Sequence, residues 1–128
     1  MNLLLDSHAF IWMRQEPHRI GVMAISEMML VSSRLFLSSA TLWELQIKID
    51  LGKFDFGDPL SVVIADEFRE NSIELLPIEN KHIFNLSNLP IHHRDPFDRM
   101  LISQAMVEEM TVVTVDPKFS EYGVKVLW

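Results

Sequence analysis

The sequence contains no cysteine, which excludes a disulfide framework and a thiolate zinc site and removes any need for an oxidising compartment. Long apolar runs are missing as well. None approaches the roughly 20 residues that a membrane helix requires. The opening stretch, MNLLLDSHAFIW, is apolar but has neither a basic leader nor a small-residue cleavage site, and Asp6 interrupts it early, so no signal peptide is expected. A cytoplasmic location is the corresponding expectation. Positive charge is also scarce: Lys and Arg total 11 against 18 Asp and Glu, for a formal net charge of −7. That argues against a broad nucleic-acid-binding surface, so any such contact has to be local. The excess of carboxylates has a second reading, in which several gather in one place and a bound cation balances them.

What is present is an ordinary folding composition. Over 128 residues, 48% are hydrophobic and 23% charged, which predicts one folded domain spanning 1–128 rather than a disordered chain. Short apolar runs at NLLL (2–5), LFLS (35–38), SIELLPI (72–78), MTVVTV (110–115) and VKVLW (124–128) read as strands, the last as an edge strand. Between them lie helix candidates: AFIWM, IGVMAISEMML, LWELQIKI with Leu42, Leu45 and Ile49 at helical spacing, PLSVVIADEFREN, ENKHIFNLSNL and PFDRMLISQAMVEEM. Strands that alternate with helices and are apolar on both faces pair in parallel, with helices above and below. The expected fold is therefore a three-layer α/β/α sandwich with a central parallel sheet. GKFDFGDP (52–59) reads as a loop.

Four acids stand out by position. Asp6 follows the first strand, Glu44 lies just inside the helix after the second, Asp98 opens the helix before the fourth, and Asp116 ends that fourth strand. Ligand sites of open parallel sheets form at the carboxyl ends of the strands, and all four acids map to that edge. Each also has a plain capping explanation. Asp6 suits the cap of the first helix. Thr41 to Glu44 fits a capping box, Asp95-Pro96 a cap followed by proline with Asp98 in the first turn, and Asp116-Pro117 repeats that grammar. Asp58-Pro59 shares it but follows a loop, so capping alone is expected there. Serine, threonine or asparagine would cap equally well. Two carboxylates about 4 Å apart repel by on the order of 4 kcal/mol at an effective dielectric near 20, so a cluster needs a cation. Oxygen-only donors suit Mg²⁺ or Mn²⁺ better than zinc.

Four segments, LLLDSHAFIW, LSSATLWELQIKIDLGK, HHRDPFDRMLISQA and TVVTVDPKF, occur in the order and spacing of a known family. Together they resemble the PIN-domain ribonucleases, and among these the VapC-type toxins of bacterial toxin–antitoxin pairs. The resemblance spans nearly the whole chain. It implies a compact α/β/α sandwich whose acids hold one or two Mg²⁺ or Mn²⁺ ions and cut single-stranded RNA. The matching metal positions are Asp6, Glu44, Asp98 and Asp116. Asp95 reads as a cap that could also stand behind the ligands. Ser7 and Thr114 match small hydroxyl positions able to orient a water or a phosphate oxygen, and read equally as turn hydroxyls. A homodimer and a cognate antitoxin are further implications.

The expected reaction is metal-assisted hydrolysis of a phosphodiester, with the carboxylates chiefly as ligands. Arg94 and Arg99 flank the acids and could hold phosphates as bidentate donors, or form salt bridges to Asp95 or Asp98. His92 and His93 read as surface or substrate-side groups, because neighbours in an extended loop diverge and at most one could reach a shared ion. Lys48 suits an i,i+4 ion pair with Glu44. Phe10, Trp12, Trp43 and Phe97 are expected in the core, and Met23, Met28 and Met29 at a core or a partner surface. Two other functions compete: a non-catalytic module that kept the fold, and an aspartate-dependent phosphotransfer domain. The latter needs paired acids or an Asp-x-Asp after the first strand, and Asp6-Ser7-His8 offers neither.

Overall fold

The computed structural model describes residues 1–128. Five strands form one all-parallel sheet: β1 (Asn2–Leu5), β2 (Arg34–Ser38), β3 (Glu74–Leu76), β4 (Thr111–Val113) and β5 (Val126–Leu127), in the order β3-β2-β1-β4-β5. Alternation along the strands divides the core in two. Leu3, Leu5, Leu37 and Val113 face one layer with Ala9, Phe10, Ala24, Leu45 and Val63. Leu4, Phe36, Leu76 and Val112 face the other with Leu101, Ile102, Ala105 and Phe119. Because β1 to β4 are covered on both faces, their apolar runs are continuous instead of alternating with polar residues.

The helices are α1 (Ser7–Gln15), α2 (Val22–Met28), α3 (Ser39–Asp50), α4 (Leu60–Glu70), α5 (Asn80–Phe84) and α6 (Pro96–Glu108). The ENKHIFNLSNL stretch is not one helix, since it divides into α5 and a 3-10 turn over Asn85–Asn88. Another 3-10 turn, Pro117–Tyr122, follows β4. The strand order places the reversal of winding between β1 and β4. There the crossovers diverge and leave a crevice outside the carboxyl ends of the strands.

Two capping expectations fail. Helix α3 starts at Ser39, and its cap is Ser38, whose hydroxyl accepts from the Ala40 amide at 3.0 Å and donates to Gln104 Oε1 at 2.6 Å. Thr41 is thus inside the helix, buried with its hydroxyl unpartnered, and no capping box with Glu44 forms. At α4 the cap position belongs to Pro59 and no side chain bonds the first turn, so Asp58 caps nothing. Asp58→Ala is therefore expected to shift unfolding free energy by less than about 0.5 kcal/mol, whereas Ser38→Ala loses about 1 kcal/mol, both read from urea melts.

The aromatic expectations divide. Phe10 is fully buried, but Trp43 is 62% exposed and meets Phe97 edge to face at 5.2 Å. Helical spacing identifies a face without saying what covers it. Trp12 is half-buried against Trp128 and under Arg19. Met28 packs on the core, while Met23 and Met29 lie open.

Candidate metal centre

Asp6 ends β1 and caps α1. Its Oδ1 accepts from the Ala9 amide at 2.8 Å, and its own amide donates to Val113 of β4 at 3.2 Å. That last bond ties the ends of the two strands that flank the reversal. Thr114 continues β4, and its Oγ1 accepts the Asp116 amide at 3.0 Å, which turns the Asp116 carboxylate back over the strand ends. Asp116 also caps the following 3-10 turn through the Lys118 amide at 2.9 Å.

Glu44 arrives one turn into α3 and Asp98 in the first turn of α6. The two helices are held side by side by the Ser38–Gln104 bond and the Trp43–Phe97 pair. Ser7 donates to Glu44 Oε1, and Lys48 lies 3.3 Å from Glu44 Oε2, the expected i,i+4 pair. Glu44 is 8% exposed, so it is a buried carboxylate committed to the crevice. Asp95 caps α6, accepting from the Phe97 and Asp98 amides at 2.8 and 3.2 Å.

The outcome is one hollow of about 250 Å³ lined by carboxylates: Asp6, Glu44, Asp95, Asp98 and Asp116, with Ser7, His8 and Lys48 completing the polar wall. A larger hollow of about 720 Å³ lies at the opposite edge of the sheet, beside Met1 and Lys125, and gathers no group of acids. The electrostatic consequences are visible in two groups. Burial pushes the Asp6 carboxyl up from its ordinary value, against the Thr114 hydroxyl, the Ala9 amide and His8, which favour its charged form. Asp98 is pushed up to about 7, first by burial and then by the charges of Asp95, Glu44 and Asp6, with His93 opposing. At both carboxyls burial outweighs the groups that favour the charged form, and five of the side chains lining the hollow offer carboxylate oxygens. Mg²⁺ or Mn²⁺ fits that set.

The flanking residues take separate places. His93 is half-buried and turned inward, with Nε2 2.9 Å from Asp98 Oδ2 and 3.1 Å from Asp116 Oδ2. The loop argument gave both histidines as surface or substrate-side groups, with at most one able to reach a shared site; it is His93 that reaches the acids, while His92 stays exposed against Tyr122. Arg94 is exposed and, with Ile91, His93 and Arg99, lines an adjoining hollow of about 420 Å³. Arg99 pairs with neither Asp95 nor Asp98. Its guanidinium donates to the carbonyls of Pro90 at 3.0 Å and Leu86 at 3.4 Å and to the Tyr122 hydroxyl at 3.4 Å, pinning the loop before α6.

A second group with metal-ligand chemistry, Glu79, His82 and Glu108, lies elsewhere. Its charges are already matched. Lys81 is 2.8 Å from Glu108 Oε1, His82 Nε2 is 3.0 Å from the same atom, and His82 Nδ1 accepts the Glu79 amide at 3.0 Å. Those bonds close the gap between α5 and α6 and leave no donor atom of the imidazole free.

The architecture recurs in solved structures. VapBC2 from Rickettsia felis, crystallised bound to a DNA fragment from its promoter, matches with a TM-score of 0.74 and 17% identity over 98% of this chain and 97% of that one. DNA-bound VapBC from Salmonella typhimurium gives 0.72 and 19% over 98% and 96%. FitAcB from Neisseria gonorrhoeae gives 0.64 and 18% over 97% and 95%. At these identities the likeness is one of fold. No curated protein sequence matches the chain. The family model described as PIN domain matches residues 3–125, a span that contains Asp6 and Asp116 after β1 and β4 and both helices that carry Glu44 and Asp98; the chain belongs to the PIN-domain family.

Proposed function

We propose that the protein is a Mg²⁺- or Mn²⁺-dependent endoribonuclease that hydrolyses phosphodiester bonds of single-stranded RNA, and that it is the toxin of a toxin–antitoxin pair. The observation that carries this reading is the convergence of Asp6, Glu44, Asp98 and Asp116 from separate segments on one hollow, with Asp98 held up to about 7. Caps alone do not explain it. Glu44 caps nothing, and Asp98 sits in the first turn behind a cap already supplied by Asp95.

In this reading the four carboxylates hold the metal. When bound, the ion neutralises charge on the phosphodiester and makes a water acidic enough to lose its proton near neutral pH. The remaining work falls to the chain. Ser7 orients Glu44, Lys48 neutralises the Glu44 oxygen turned away from Ser7, and Thr114 fixes the bend that aims Asp116. Arg94, exposed at the adjoining hollow, supplies a cation for a neighbouring phosphate, while Arg99 holds the loop that presents it. One carboxylate of the hollow would accept the proton that such a water gives up.

Partners follow from the same reading. Relatives of this fold include a member of the VapBC family of toxin-antitoxin systems from Mycobacterium tuberculosis, with a TM-score of 0.60 and 18% identity over 98% of this chain and 96% of that one. Here Val22, Met23, Met29, Leu30 and Val31 are exposed around α2, and Trp43 and Ile47 of α3 with Leu51 just past its end are exposed at every fourth residue. Such apolar surface supports an antitoxin and a second copy of the chain as partners. No helix is long and apolar enough to cross a membrane.

The test is cleavage of a labelled unstructured RNA by purified protein. Cutting is expected with Mg²⁺ or Mn²⁺ and should stop with excess chelator; persistence in chelator would falsify the mechanism.

A further inference from the structure

His93 brings a ring nitrogen between two carboxylates at the rim of the acidic hollow, and its hydrogen bonds say which face of the ring carries the proton. Its Nδ1 accepts the Asp95 amide at 3.3 Å. The proton therefore resides on Nε2, which donates to Asp116 Oδ2 at 3.1 Å, while Asp98 Oδ2 lies 2.9 Å from the same nitrogen. One ring nitrogen thus lies between two carboxylates contributed by α6 and by the segment after β4, hydrogen-bonded to the second and in close contact with the first. The ligating atoms of His93, Asp98 and Asp116 all lie within 4.8 Å of one another. A divalent ion held by both carboxylates would compete with the imidazole for them. A ring nitrogen that bears a proton offers that ion no lone pair, and its N–H dipole repels it.

We propose that His93 is a built-in substitute for the cation, holding Asp98 and Asp116 together in the metal-free protein and withdrawing from between them when a divalent ion binds there. This rests on the reading of the carboxylates as a metal site. The ring has the surroundings such a role needs. It lies edge-on to Phe119 at 6.2 Å, and its side chain keeps 12% of its surface exposed. The backbone is anchored independently, because the amides of His92 and His93 both donate to the Tyr122 hydroxyl, at 3.0 and 2.7 Å. The side chain can turn out toward the hollow shared with Arg94 while the loop stays in place. Asp98 and Asp116 are thereby kept near binding separation without a metal. Withdrawal is a standing cost against every incoming ion.

Calorimetric titration of Mn²⁺ into the parent, His93→Ala and His93→Gln proteins tests this. A hydrogen bond to a charged group is worth enough that His93→Ala should bind Mn²⁺ about tenfold more tightly than the parent, with His93→Gln, which keeps an N–H donor, close to the parent. Weaker or equal binding by His93→Ala overturns the inference, because a ligand or a bystander would behave so. In the folded parent, addition of diamagnetic Mg²⁺ should abolish the hydrogen-bonded Nε2–H resonance of His93, and an unmoved resonance overturns the inference without any variant. Absence of Mn²⁺ binding by all three proteins rejects the metal site itself, and this inference with it.

Discussion

Asp98→Asn and Asp6→Asn are each expected to lower RNA cleavage by at least on the order of a thousandfold at saturating Mg²⁺, the scale on which removal of one preorganised charge-stabilising group acts. The two changes are nearly isosteric. Asn at position 6 can still accept the Ala9 amide that Asp6 Oδ1 now accepts, so α1 keeps its cap. Asn at position 98 can keep an oxygen at the position of Oδ2, 2.9 Å from His93 Nε2. What each variant loses is negative charge facing the hollow. Circular dichroism and Mn²⁺ titration measured alongside separate loss of ligand from loss of fold. Near-parental rates in both variants, with Mn²⁺ binding intact, would remove these carboxylates from the chemistry.

The second expectation concerns stability and runs opposite to the usual effect of disrupting an active-site residue. Without metal, Asp98→Asn should melt higher than the parent at pH 8, by about 5–8 °C, and the difference should vanish near pH 4. The sign follows from the folded-state value of about 7 against an ordinary 3.8. At pH 3 and below the carboxyl is protonated in both states and contributes nothing. As pH rises from 4 to 7 the unfolded chain releases the proton while the folded chain retains it, so folding loses free energy through that window. Above about 7 the loss is complete. At about 1.4 kcal/mol for each pH unit between 3.8 and about 7, the upper bound is on the order of 4 kcal/mol, and relaxation of a side chain that is 21% exposed reduces it to about 2 kcal/mol. Asp6, also raised by burial, adds a slope of the same sign that persists in the variant. If Asp98 served only the positive end of α6, the substitution would melt equal or lower by a few tenths to 1 kcal/mol. Added Mg²⁺ should raise the parent's midpoint at pH 8 more than the variant's. Differential scanning calorimetry between pH 4 and pH 8, with and without Mg²⁺, reads all of these.

The site was partly legible because strand ends are legible. NLLL followed by Asp6 and TVV followed by Thr114 and Asp116 are local patterns, and a parallel sheet aligns the ends of its strands, so acids at those ends share an edge before any contact is known. Glu44 and Asp98 were legible from their segments, though one local explanation for Glu44 was wrong. Ser38, not Thr41, caps α3, and the hydroxyl of Ser38 is claimed by Gln104, 66 residues away. The two Asp-Pro steps at 58 and 95 show the limit of such grammar. Identical in sequence, one makes two cap bonds and the other none. His93 was the residue least accessible to sequence reasoning. Its direction depends on Phe119 and on a Tyr122 hydroxyl 29 residues further along.

The sequence by itself determined the number and type of the strands, the parallel sandwich they form, and the gathering of acids toward one edge, because periodicity and strand ends are properties of neighbouring residues. Tertiary structure alone decided which carboxylates share a hollow, that Asp98 stays protonated to about 7, that His93 enters and Arg99 turns away, and that Trp43 lies open. Burial and charge–charge repulsion act through space across segments far apart in the chain, so they take values only once β1 and β4 lie side by side and α3 meets α6.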